Sequence, residues 1–222
     1  MRRHLCIFLA LTAPLAAACD GLTISDGDSV KGSGTIVTET RDVSGFNGVE
    51  VVGSGDVTIE VTGAETLAIT ADDNLLPLLT SDVLEDTLQL GVEPDTSISP
   101  SAPIGYRITV VDIAGLSVFG SADFSVTGID AASFGVDIAG SGNVELEGSA
   151  SSLAIDIRGS GDVDGAGLTV GSASVDISGS GDVVVNATDE LDVSISGLGN
   201  VEYIGSPAID QSVSGSGQIS QR

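Results

Sequence analysis

The sequence Gly159-Ser160-Gly161-Asp162-Val163 decides the fold of this chain, because close copies of it recur at a nearly constant spacing. The copies begin at Gly140, Gly159, Gly179, Gly197 and Gly215, and a variant begins at Gly120. Successive copies start 18 to 20 residues apart. A short turn motif with a period near 20 residues is typical of a solenoid, in which each coil is stable only when it is stacked on its neighbours.

Apolar residues alternate with small or acidic residues in the segment before each turn motif. The apolar positions are Phe134, Val136 and Ile138, then Leu153, Ile155 and Ile157, then Ala173, Val175 and Ile177, then Leu191, Val193 and Ile195. A period of two indicates a strand with one buried face. A second short alternating run, such as Val144-Glu145-Leu146, follows each turn. These runs leave no room for a helix of ten residues in each repeat, so the pattern predicts an all-β chain built as a parallel β-helix.

The composition agrees with a β-helix. The chain has 222 residues, of which 30 are glycine, 3% are aromatic and none is tryptophan. A narrow stack of Val, Ile, Leu and Ala suffices for a β-helix core, because each side chain packs on equivalent residues one coil above and below. At roughly 4.8 Å per coil, we expect about nine or ten coils in a rod about 45 Å long. One domain, residues 35–222, would contain them.

The N-terminal residues 1–18 are predicted to be a signal peptide. Arg2 and Arg3 precede an apolar stretch, Leu5–Ala17, that is too short to span a bilayer comfortably. The next residue is Cys19, and Leu15–Cys19 resembles a bacterial lipobox, with alanine in place of leucine three residues before the cysteine. Lipidation of Cys19 would anchor the exported protein to a membrane.

Ordinary signal peptidase cleavage is the alternative, since small residues precede Cys19. It would leave a soluble secreted protein with a lone cysteine, which is harder to explain in an oxidising compartment. We therefore predict a membrane-anchored lipoprotein of the bacterial cell envelope. The Gly-, Ser- and Asp-rich segment that completes residues 19–34 is predicted to be a flexible tether.

Cleavage before Cys19 would remove residues on which several classes of function depend. It would remove His4, the one histidine, and leave five basic residues against 32 acidic ones, a net charge of −27. Ser/His/Asp and Cys/His catalysis and histidine-based metal sites are then excluded. Nucleic acid is excluded as a partner, because so acidic a surface repels phosphate. No cofactor is expected.

Four segments carry a resemblance to a known family. They are Val49–Ile59 (VEVVGSGDVTI), Asp73–Pro77 (DNLLP), Leu84–Leu88 (LEDTL) and Tyr106–Val110 (YRITV). Their order resembles the auto-transporter adhesin head (GIN) domain family, and the resemblance extends over nearly all of the chain after the signal peptide. It implies an exported, often lipid-anchored, right-handed single-stranded parallel β-helix for which no activity is established. The chain departs from the family at Glu85-Asp86, where a glycine is more usual, and in the loop Pro94–Pro103.

A short helical turn is predicted where Asp72-Asp73-Asn74 precedes Leu75–Leu79. An Asp or Asn side chain would cap it by accepting hydrogen bonds from the first free amides. Its leucines do not alternate with polar residues, so we expect them to close one end of the apolar stack or to cover its flank.

Two rows of acidic residues are the candidates for a functional site. Asp137, Asp156 and Asp176 occupy the same outward strand position on three consecutive coils, and Arg158 is a plausible counter-charge for them. Equivalent turn positions hold Asn143, Asp162, Asp182 and Asn200. Stacking would place equivalent carboxylates about 5 Å apart.

Three hypotheses account for these rows. Calcium would suit oxygen ligands such as Asp162 and Asp182, but the calcium-binding β-roll needs its turn motif every nine residues. An acid-catalysed or calcium-dependent polysaccharide enzyme is the alternative function, since some β-helix enzymes place aspartates on neighbouring coils. The favoured hypothesis is that the carboxylates serve turns and solubility. We therefore predict no catalysis, and a structural or adhesion-like module with an envelope protein or polysaccharide as its candidate partner. Asp137, Asp156, Asp176 and Arg158 are the candidate interaction ladder of such a module.

Overall fold

Stacked β-strands make up almost all of the structure, a computed structural model that describes residues 29–222. Strands account for 67% of the described residues and build a β-solenoid of about five turns, which confirms the all-β prediction. The signal peptide, Cys19 and the tether up to residue 28 lie outside the described residues. Within residues 29–222, no helix is long and apolar enough to cross a membrane.

Within the described residues the elements in chain order are β1 Val30–Lys31, β2 Ile36–Arg41, β3 Gly48–Gly53, β4 Asp56–Val61, β5 Thr66–Asp72, a 3-10 segment Leu76–Leu78, β6 Leu79–Leu84, β7 Thr87–Val92, β8 Ile98–Ser99, β9 Gly105–Val110, β10 Gly115–Gly120, β11 Asp123–Gly140, β12 Val144–Ile157, β13 Val163–Ile177, β14 Val183–Gly197, β15 Val201–Ile204, β16 Ala208–Gly215 and β17 Ile219–Gln221. The strand order in the sheet departs from chain order in the N-terminal half, where β3 lies between β10 and β7 and β4 between β11 and β9.

The regular coils are formed by β11 to β14, each of which pairs in parallel with the next. One residue column shows the stacking, since Ile138 pairs with Ile157 and Ile157 with Ile177. All twelve apolar positions predicted to face inward are buried, with at most 4% of their surface exposed. The period-two pattern therefore predicted the inward and outward faces correctly. This assignment matters for the site, because the residues between these positions must lie on the outside.

The predicted number of coils is wrong. The solenoid has about five turns, not nine or ten. The N-terminal half departs from the 20-residue repeat, because β2 runs antiparallel to β5, β5 antiparallel to β9, and β6 antiparallel to β7. Of these pairs only β6 and β7 form a hairpin, and all three antiparallel pairs use chain length without adding a full coil.

The predicted helical turn is present as the 3-10 segment, but the predicted cap is wrong. No side chain caps its N-terminus. The side chain of Asp72 instead accepts hydrogen bonds from the Gly34 amide at 2.7 Å and from the amide and hydroxyl of Ser101 at 2.9 and 2.6 Å. Asp72 is fully buried, and the bonds from Ser101, hydroxyl first, lower its pKa. This carboxylate links β5 to two loops by hydrogen bonds. A buried carboxylate needs several such bonds to offset its lost hydration, and these three supply them.

The N-terminal end of the core is closed by the leucines and by Arg41. Leu75, Leu76 and Leu79 are buried, as expected for leucines that close one end of the apolar stack. Arg41, at the end of β2, donates hydrogen bonds to the carbonyl oxygens of Leu79 at 2.6 Å and Leu76 at 2.7 Å. Because β2 and β6 each end one row of paired strands, this guanidinium joins the two rows across the end of the solenoid.

The turn between β6 and β7 explains the departure at Glu85-Asp86. Both residues have positive φ, at 48° and 62°. Two-residue hairpin turns of this kind favour glycine or asparagine, because a side chain is disfavoured at positive φ. Glycine would adopt this conformation with less strain than Glu85 and Asp86 do.

Candidate functional site

The aspartate ladder (Asp137, Asp156 and Asp176) lies on one outer face of the solenoid. Asp137 pairs in register with Asp156, and Asp156 with Asp176. The row continues without aspartate through Ser117 and Glu50 on one side and through Ser194 and Ser212 on the other. The three carboxylates occupy equivalent positions along strands β11, β12 and β13. The buried isoleucines beside them fix this register.

Arg158 lies against two members of the ladder. One terminal nitrogen is 3.1 Å from Asp137 Oδ1, and the other is 2.6 Å from Asp156 Oδ2. The attraction of Asp137 and then of Asp156 raises the pKa of Arg158. One guanidinium thus pairs with two carboxylates that lie one coil apart. Asp176, the third member of the ladder, takes part in none of the ion pairs within the described residues.

A row of small residues borders the aspartate ladder, and the sequence reasoning missed it. Its members are Gly48, Gly115, Gly135, Ala154 and Ser174, paired in register from β3 to β13. With the aspartates they line an open groove of about 550 Å³, hereafter the ladder groove. The sequence does contain a pattern that predicts this row, because each small residue stands two positions before Glu50, Ser117 or a ladder aspartate. Because these side chains are absent or small, the strand surface beside the aspartates is open.

The turn row behaves differently from the ladder. Asp162 Oδ1 accepts a hydrogen bond from the Asp182 amide at 2.8 Å, and Asp182 Oδ1 accepts one from the Asn200 amide at 3.0 Å. Asp123 Oδ1 does the same for Asn143 at 2.8 Å. The side chains of Asp123, Asp162 and Asp182 therefore each bond the backbone of the next coil. These bonds occupy Oδ1 of each aspartate. No group of three or more acidic, histidine or cysteine side chains within residues 29–222 is arranged to hold a metal ion.

Calcium should have no specific effect on stability. If Asp162 and Asp182 serve the backbone, the melting temperature in 1 mM calcium should match that in a magnesium salt of equal ionic strength. A site with a dissociation constant near 10 μM would instead add roughly 2.7 kcal/mol. A calcium-specific rise in melting temperature that disappears in Asp162→Asn with Asp182→Asn would contradict this assignment.

The stacked coils, the outward acidic rows and the closed N-terminal end define an acidic parallel β-solenoid. The family comparison agrees with this class. The model of the family described as "Putative auto-transporter adhesin, head GIN domain" matches residues 45–207. The chain belongs to this family.

Solved structures support the same fold. A "putative adhesin" from Bacteroides fragilis has a TM-score of 0.73 at 22% identity, over 87% of this chain and 100% of that one. A "putative adhesin" from Parabacteroides distasonis has a TM-score of 0.55 at 24% identity, over 88% and 100%. A "putative lipid binding protein" from the same species has a TM-score of 0.53 at 22% identity, again over 88% and 100%. The comparison with curated proteins gave no match.

Proposed function

We propose that this protein is an exported, lipid-anchored module of the bacterial cell envelope that binds its partner without transforming it. The observation that carries the proposal is membership of an adhesin family over residues 45–207. Two of the similar structures are themselves named putative adhesins. A rigid rod fixed at one end suits this role, because its outer faces are held away from the membrane.

The ladder groove is the proposed binding surface. It combines hydrogen-bond acceptors on Asp137, Asp156 and Asp176 with donors on Arg158, next to a row of small residues. An extended polysaccharide, or an extended segment of an envelope protein, fits a shallow groove of this kind, since spaced polar groups can bond to it one coil at a time.

A four-site variant tests the binding surface. The substitutions are Asp137→Ser, Asp156→Ser, Asp176→Ser and Arg158→Ser. All four positions are at least partly exposed, so the fold should persist. We expect the fraction of protein retained on sedimented envelopes of the producing bacterium to fall about tenfold or more, as when the central contacts of an interface are removed.

A control variant with the same change in net charge separates recognition from bulk electrostatics. Its substitutions are Glu60→Ser, Glu145→Ser, Asp164→Ser and Arg107→Ser, on a different face. Retention of this control should resemble that of the unmodified protein. Equal retention of the groove variant and the control would refute the groove as the binding surface.

The anchor is tested separately. Cys19→Ser should move the protein from the membrane fraction to the soluble fraction, because the acyl chains supply the membrane affinity. The acidic chain, with a formal net charge of −25, offers anionic lipids no compensating attraction. Unchanged partition between the two fractions would contradict lipidation at this residue.

A further inference from the structure

The two ends of the solenoid differ. The N-terminal end is closed by antiparallel strands, the leucines and Arg41, as described above. At the other end, β16 pairs with β14 alone and β17 with β15 alone among the described residues. Both strands therefore present a free edge of backbone amides and carbonyls. Such an edge is a template for pairing with another strand.

The last coil also leaves its apolar column uncovered. Ile209 and Val213 are 39% and 43% exposed. Ile209 and Val213 stack on Leu191 and Ile195 of the preceding coil. Those two residues are buried, with at most 1% of their surface exposed. The inward position between Ile209 and Val213, equivalent to buried Val193, is occupied by the exposed Gln211. This end presents a complete set of inward side chains with nothing stacked on them.

The charge of the last coil points to what covers it. Residues 207–222 contain one acid, Asp210, and one base, Arg222, so this end is close to neutral. The preceding coil carries Asp189, Glu190, Asp192 and Glu202 and no base. In a chain with a net charge of −25, the C-terminal coil is the end at which another copy can approach with little repulsion. The charged residues that usually protect a free edge are also missing from the inward positions of β16.

The sequence of β16 is complementary to itself when reversed. We propose that two copies of this chain pair end to end, β16 against β16 in antiparallel orientation, about a two-fold axis through Gln211. In this register Gln211 lies opposite its own copy, and Ile209 lies opposite Val213 of the partner in both halves. The two Gln211 amides can bond to each other, since each carries both donors and an acceptor.

This register also places the outward residues favourably. Asp210 of each copy lies opposite Ser212 of the other, so no two carboxylates face each other. Moving the axis to Asp210 would set like charges directly opposite, which is destabilising. Because the same edge is used on both copies, the assembly is closed and stops at a dimer.

Sedimentation of the full chain with Cys6→Ser and Cys19→Ser tests the proposal. The expected result is a concentration-dependent equilibrium between one and two copies. Gln211→Lys should weaken the dimer by about tenfold or more, because two ammonium groups then meet at the axis. Ser212→Lys adds the same charge one residue away, but its ammonium would face Asp210 of the partner. It should leave the dimer intact or strengthen it.

Disulfide cross-linking tests the register in the same background. Opposite residues of an antiparallel pair have Cα atoms about 4.5 to 5.5 Å apart, which is within the range of a disulfide. Gln211→Cys should therefore form a covalent dimer under mild oxidation, and Ser212→Cys should not. A protein that stays monomeric up to about 1 mM, a range that reveals even weak interfaces, would overturn the proposal. So would open-ended filaments, equal weakening by both lysine variants, or cross-linking at position 212 rather than 211.

Discussion

Ile157→Asp should leave the chain unfolded under conditions in which the unmodified protein is folded. Ile157 is completely buried, and it lies between Ile138 and Ile177 of the neighbouring coils. A carboxylate at this position would lose its hydration without gaining a partner, at a cost of several kcal/mol. That cost is comparable to the total stability of a typical domain, about 5 to 15 kcal/mol. The measurement is the far-ultraviolet circular dichroism spectrum, in which the variant should lack the β signal of the unmodified protein before any heating.

The neighbouring residue supplies the control for this experiment. Asp156→Ser removes an outward side chain and its contact with Arg158, but leaves the core untouched. Its melting temperature should lie within a few degrees of that of the unmodified protein, as for most surface substitutions. If the two variants melt at the same temperature, the inward and outward faces have been assigned incorrectly.

Gly159→Ala should also be strongly destabilising, although alanine adds only one methyl group. Gly159 pairs in a column with Gly140 on one side and Gly179 on the other, and an added Cβ would lie far inside van der Waals contact with the Gly140 carbonyl oxygen. The same oxygen accepts a hydrogen bond from the Ser160 amide at 2.8 Å. The coils would have to separate at this corner, which costs about 1 to 3 kcal/mol by comparison with other overpacked sites.

The matched control is Ser160→Ala, because Ser160 is exposed and follows the glycine directly. In a domain of this size, 1 kcal/mol shifts the melting temperature by about 2 to 4 °C. We therefore expect Gly159→Ala to melt about 5 °C lower and Ser160→Ala to change little. Equal melting temperatures for the two variants would mean that the glycine column tolerates side chains and that close backbone approach is not the reason for the repeat.

The regular half of the fold was predictable because each inward position of the coil is apolar in every repeat. Ile138, Ile157 and Ile177 each stand two residues before the first glycine of a turn motif. The repeat period alone therefore predicts that they stack on one another. Their burial then fixed which residues face outward. The same logic predicts that Asp137, Asp156 and Asp176 stack in register, as they do.

The N-terminal half was less predictable, because there the pairing partners are distant in sequence and differ in direction. Nothing in the local sequence shows that Asp72 bonds to Gly34 and Ser101, or that Arg41 reaches the carbonyls of Leu76 and Leu79. Local reasoning assigned Asp72 or its neighbours to a helix cap, the common use of such residues. The ladder groove was missed for a different reason. Small residues carry no chemistry, so their row acquires meaning only when coils are stacked beside the aspartates.

The most direct test of the account asks whether the bound partner is left intact. The measurement is the release of new reducing ends from envelope polysaccharide incubated with the purified protein, with the four-site groove variant and with heat-denatured protein. The account predicts that the unmodified protein is retained on envelopes and that the release of reducing ends is the same in all three samples. Release by the unmodified protein alone, lost in the groove variant, would show that the aspartate ladder is catalytic and would contradict the account.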